Sequence, residues 1–272
     1  MFSFLSYSFM VYALILGLLI AFAAALLSPF LVLSQQSLIA DGMAHISFTG
    51  FVIGLIFASE PLYFALPFAI VAALLITFLT ERVNLNNDAS IGVVSTLSLA
   101  IGLVIIEKVE GFNRLIDSLL VGSILTIDPK TELVAAGILV LGVALFVLIY
   151  YRRLLNATYD QTYAEFSKIK VRLLKYTLSA LTAVFVVIGV RAIGALLISA
   201  FVIFPALIAR QISRSFSETL IFGVVSSLLA VLIGIIISYH MALPTGPSII
   251  IVFSTFLLLT YLTKVIFLRK RL

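Results

Sequence analysis

An acid and an imidazole stand four residues apart in SQQSLIADGMAHISFTG, residues 34–50, where Asp41 and His45 lead directly into an apolar run. Positions i and i+4 of a helix share one face. A carboxylate oxygen beside an imidazole nitrogen is a ligand pair suited to Zn²⁺ or Mn²⁺. An Asp at the centre of a membrane helix costs about 2.5–3.5 kcal/mol on insertion scales, so such groups usually mark an ion path. The competing reading is structural, with Asp41 accepting bonds from orphan N–H groups at the helix start and His45 a satisfied interfacial histidine. The chain has no cysteine, so any metal must be held by nitrogen and oxygen. A complete site needs further ligands from a second subunit, backbone carbonyls or water.

The elements that would carry this pair are membrane helices. Of 272 residues 63% are apolar and 11% charged, and the mean hydropathy is +1.28. Runs of the roughly 17–25 residues needed to cross a bilayer recur along the chain. They fall near 9–33, 39–59, 61–80, 91–109, 131–150, 174–190, 193–209, 219–239 and 246–264. The fold class is therefore all-α, a polytopic bundle of eight or nine membrane helices forming a single transmembrane domain over 1–272. The count is left between eight and nine because 193–209 is short and 39–59 opens with polar residues, so either could be broken or re-entrant. The first run has no basic residue ahead of it and no A-x-A-like site behind it, which reads as a first span and not a cleaved signal.

The net charge of +5 does not point to nucleic acid, because the basic residues lie between spans and not in one patch with stacking aromatics. Arg82, the group Arg152 to Lys175, Arg210 with Arg214, and Lys264 to Arg271 all fall on one side if every segment crosses. The positive-inside rule makes that side cytoplasmic and puts the N-terminus outside. Glu107, Glu110 and Asp117 then lie in an outer loop, where acidic groups raise local cation concentration. His240, at an outer helix end, reads as capping or solvent-facing. Gly50 and Gly54 make a GxxxG in GFVIG, a close-packing cue that could bring the helix near a second copy at a dimer axis.

SLIADGMAHISFTG resembles the first signature of the permease subunits of zinc and manganese ABC importers, the ABC-3 family, in which a Ser-Leu pair precedes an Asp-x-x-x-His element. DASIGVVSTLSLAIGLVII (88–106), SLLVGSILTID (118–128), GALLISAFVIFPALIAR (194–210) and LPTGPSIIIVFSTFLL (243–258) resemble successive family segments in the family's order. One departure is that Gln35 and Gln36 stand where family members commonly carry arginine. The resemblance implies a type II ABC-importer-like permease in a bacterial cell membrane. It implies a homodimer that forms the pathway, a separate cytoplasmic ATPase that binds the ATP, and an extracellular metal-binding protein that delivers the ion. No permanently bound cofactor is implied, and Zn²⁺ or Mn²⁺ is the cargo. The segment ARQISRSFSE (209–218) resembles the family's coupling stretch, making Ala209, Arg210, Ser213 and Arg214 candidates for docking the ATPase, with loop 151–175 as the second candidate. HISFTG resembles the zinc version more than the manganese version, in which a proline commonly occupies the place of Thr49.

The residues themselves leave little room for an enzyme. There is no G-x-x-x-x-G-K-[ST] phosphate loop, so ATP hydrolysis must belong to a partner. There is no H-E-x-x-H, and two histidines in all make an intramembrane hydrolase improbable. The alternatives are import of Mn²⁺ or Fe²⁺ by the same architecture, and a secondary transporter driven by an ion gradient. The latter calls for paired discontinuous helices in two repeat halves, and no internal repeat is evident.

Overall fold

The computed structural model describes residues 8–57, 61–107 and 129–269. These residues form helices α1 (Ser8–Leu33), α2 (Ile39–Phe57), α3 (Leu62–Arg82), α4 (Asn87–Ile106), α5 (Pro129–Tyr159), α6 (Gln161–Phe166), α7 (Val171–Ile193), α8 (Ala195–Ile212), α9 (Phe216–Met241) and α10 (Thr245–Arg269). Among the described residues, every helix except the six-residue α6 is long and apolar enough to cross a membrane, nine in all. The two doubtful spans are each one continuous helix, α2 with 19 residues and α8 with 18. Glu110, Asp117, the segment 118–128, Lys270 and Arg271 lie outside the described residues.

The largest difference from the expected spans is α5, which runs to Tyr159 and not to residue 150. Arg152 and Arg153 end the apolar run, but arginine is a good helix former, and the helix continues past the membrane. Asp160 then caps α6, its Oδ1 accepting from the Tyr163 N–H at 2.9 Å. Between α7 and α8 the chain reverses on a single residue, Gly194, at φ 90, a backbone state that glycine adopts without steric cost.

Lipid is as apolar as leucine, so membrane helices associate through close packing and hydrogen bonds. Helix α1 lies at the centre, packed on α5, α8 and α9, and its Ala21, Ala23, Ala24 and Ala25 are fully buried. Hydroxyls join α3 to its neighbours: Thr77 donates to Ser179 of α7 at 2.7 Å and Thr80 to Ser90 of α4 at 3.1 Å. Apolar side chains such as Val71, Leu148 and Ile251 line the exposed outside of the bundle.

One end of the bundle gathers the basic residues. Lys175 there pairs with Glu81 and donates to Gln161 at 2.7 Å, and Lys264 donates to Gln211 at 3.1 Å. The α1–α2 turn sits at the same end. Gln35 turns through a positive φ of 56, and Asn87 Nδ2 donates to the Ser34 carbonyl at 2.8 Å. Gln35 and Gln36 border a polar cavity of about 310 Å³ that Glu81 and Lys175 also line.

Candidate functional site

Helix α2 is fixed by contacts on all but one side. Gly42 faces Ile91 and Ser95 of α4, and the Thr49 hydroxyl donates to the Ser98 carbonyl at 2.7 Å. Gly50 lies against Ala65 of α3, and Gly54 against Pro61 just ahead of it. The close approach that the GxxxG pattern permits is thus made inside the chain, against the start of α3 and not against a second copy. Ser47, Met43 and Ile46 are buried.

Among the described residues, the side left open carries Leu38, Asp41, His45 and Phe48. His45 Nε2 is 3.7 Å from Asp41 Oδ2, and the two side chains are 41% and 63% exposed. Among the described residues no backbone N–H donates to the Asp41 carboxylate, so capping is not what holds it. Its place in the first turn keeps it near the positive end of the helix dipole. The contacts at Gly42 and Thr49 set the depth. His45 falls level with the stretch between Ser95 and Ser98, the middle of the 20-residue α4, which spans about 30 Å.

In a tetrahedral zinc centre with bonds of about 2.1 Å, neighbouring ligand atoms stand about 3.4 Å apart. The Asp41–His45 separation of 3.7 Å therefore needs only a small side-chain adjustment to hold one ion between both atoms. Among the described residues no group of three or more His, Cys, Asp and Glu side chains comes together. His240 is exposed, its ring 5.5 Å from Tyr239, at the end opposite the basic residues and apart from the pair.

The coupling candidates lie at the basic end. Arg210 and Arg214 are exposed, Ala209 is buried and Ser213 is half-buried. The two arginines do not share a helix face, because Ser213 is extended at φ −77 and ψ 149 and ends α8 between them. The turn is locked instead. Ser213 and Thr219 hydroxyls meet at 2.7 Å, the Arg214 N–H donates to Glu218 at 2.7 Å, and the Glu218 N–H donates to the Ser215 hydroxyl at 3.3 Å. Phe216 packs its ring on Tyr151 and Tyr159 of α5, each 6.0 Å between centroids, and the Tyr151 hydroxyl meets Ser217 at 2.8 Å. The two docking candidates, 209–218 and 151–175, are joined through these contacts.

Sequence reading passed over one ionisable pair. Glu132 of α5 and Arg191 of α7 approach to 3.6 Å with both side chains largely buried. They line a second cavity of about 310 Å³ beside Leu62 and Tyr63. An acid at the start of one apolar run and an arginine between two others were the available signal, but their 59-residue separation hid the pairing.

Comparisons with known proteins bear on this arrangement. The model of the ABC 3 transport family matches residues 6–264. A probable iron transport system membrane protein of Haemophilus influenzae is 31% identical over 93% of this chain and 92% of its own. The high-affinity zinc uptake system membrane protein ZnuB of the same species is 25% identical over 93% of this chain and 96% of its own. Other relatives are named as manganese transport system membrane proteins. Among solved structures, PsaBC from Streptococcus pneumoniae in complex with Fab matches with a TM-score of 0.81 and 24% identity, covering 94% of this chain and 91% of that one.

Proposed function

Since the chain belongs to the ABC 3 transport family and is the multi-pass permease subunit of a bacterial metal ABC transporter, we propose that it forms an import path for Zn²⁺ in which Asp41 and His45 hold the ion in transit. The observation that carries this reading is the preset bite on α2, a carboxylate oxygen and an imidazole nitrogen 3.7 Å apart on a face that no other described residue covers. Two such chains related by a twofold axis supply four ligands, which completes a tetrahedral set. The pair stays accessible, so the ion can be released, as transport requires. Zinc is favoured over manganese because HISFTG resembles the zinc form; affinity does not choose between them, since the Irving–Williams order puts zinc ahead of manganese at almost any N/O site. The basic end faces the cytoplasm. The surface formed by 209–218 with the α5–α6 region receives the ATPase, and an extracellular metal-binding protein delivers the ion at the other end.

The test is uptake of radioactive zinc and manganese into proteoliposomes carrying the permease with its ATPase and binding protein, each with ATP, without ATP, and with an imposed proton or sodium gradient alone. ATP-dependent uptake with zinc preferred supports the reading. Preference for manganese or iron changes the cargo, and gradient-driven uptake without ATP sinks the mechanism.

The docking surface makes its own prediction. An Arg210→Glu, Arg214→Glu double variant inserts normally but loses ATPase co-purification by about tenfold or more, since reversed charge at an interface is strongly unfavourable. Wild-type recovery of the ATPase would move the dock elsewhere.

A further inference from the structure

Ser28 of α1 is fully buried, and its partners lie 174 and 178 residues away on α8. Its hydroxyl donates to the Val202 carbonyl at 2.5 Å and accepts from the Ala206 N–H at 3.1 Å. Residues 202 and 206 are the two ends of one i to i+4 helical bond, so Ser28 bridges backbone groups that a regular helix joins directly. A polar group set into the ladder in this way is a recognised cause of helix bending. Pro205 lies in the same turn and has no N–H to give the Phe201 carbonyl. Pro205 removes one rung of α8 and Ser28 shares in the next, about two turns before the turn that is locked from Ser213 onward.

The same stretch of α1 also touches the far side of that segment. Phe30 packs on Phe216 with ring centroids 5.0 Å apart. Three residues beyond Phe30, α1 ends in the turn that starts α2, with Gln36 N–H donating to the Leu31 carbonyl at 2.9 Å. A rigid docking turn, a softened helix behind it, and a strut that grips both and leads to the ligand helix make up a lever. We propose that Ser28 is a positioning residue for energy coupling: it ties α1 to the Val202–Ala206 turn of α8, beside Pro205, so that movement of the 209–218 turn is passed through α1 to Asp41 and His45 on α2. This rests on the reading of 209–218 as part of the ATPase dock.

Ser28→Ala removes the bridge and leaves the Ala206 N–H and the Val202 carbonyl to each other, so α8 stays hydrogen-bonded but is no longer tied to α1. Ser28→Thr keeps the hydroxyl. The experiment measures metal imported per ATP hydrolysed by the reconstituted complex, together with assembly and hydrolysis rate. Expected is a fall of about fivefold or more in Ser28→Ala, at the lower end of allosteric coupling factors, with assembly and hydrolysis retained and the ratio restored in Ser28→Thr. An unchanged ratio in Ser28→Ala overturns the proposal, as does a loss that Ser28→Thr shares. Should Ser28→Ala fail to assemble, Pro205→Ala carries the test, because it restores the missing N–H and must lower the same ratio. If the wild-type complex itself shows no ATP-driven import, the transport reading falls first and this proposal with it, a result seen before any variant is compared.

Discussion

Asp41→Ala and His45→Ala each lower ATP-driven zinc uptake by about 100-fold or more while the complex still assembles and hydrolyses ATP. Changes merely in the second shell of a metal site cost 10–100-fold in affinity or activity, so loss of a first ligand belongs at or beyond the top of that range. Fold and assembly survive because neither side chain supports the packing: both stand on the open face of α2, and the contacts that fix the helix come from Gly42, Thr49, Gly50 and Gly54. Asp41→Asn separates charge from shape, since the amide keeps an oxygen but is a much poorer ligand for a dication. Uptake near wild type in both alanine variants, measured with assembly confirmed, would make the pair structural and send the search for the path to other helices.

The spans were legible because lipid imposes a length and a composition that a hydropathy reading detects directly. The i, i+4 relation of Asp41 and His45 was legible for the same local reason, one turn of helix. Which way that face points was not, because it is decided by Ala65, Pro61, Ile91 and Ser98 on two other helices. Glycine spacing reports that a backbone can come close, not whose backbone it meets, and so Gly50 and Gly54 were open to a second copy until α3 was found against them. The arginines at 210 and 214 fit a helical spacing that the extended Ser213 interrupts. Ser28 gave no signal at all: a serine in an apolar run is common, and its partners lie 174 and 178 residues on.

Gly54→Ala destabilises the permease by about 1–3 kcal/mol, the usual cost of forcing one extra carbon into a packed interface, and Gly54→Leu abolishes assembly. A Cβ placed on Gly54 would lie 2.6 Å from the Pro61 carbonyl oxygen and 2.7 Å from its Cα, and one on Gly50 would lie 2.7 Å from the Ala65 Cα. All three obstacles are backbone, which cannot swing aside as a side-chain tip can. Relief requires α2 and α3 to separate, and Gly50 with Gly54 are a turn apart, so both ends of the contact open together. The internal control is Gly142 of α5, where a Cβ meets nothing within 4 Å. Gly142→Ala removes a helix-weakening glycine and is neutral or stabilising by roughly 0.5–1 kcal/mol. Thermal unfolding of the purified chain in detergent ranks the three variants. Because α2 also carries the proposed transport ligands, Gly54→Ala that survives purification has a second expected signature, weaker zinc uptake with both side chains intact, since a helix pushed off α3 no longer presents Asp41 and His45 at a fixed position. Equal melting of Gly54→Ala and Gly142→Ala would mean that the α2–α3 contact is looser than its geometry requires.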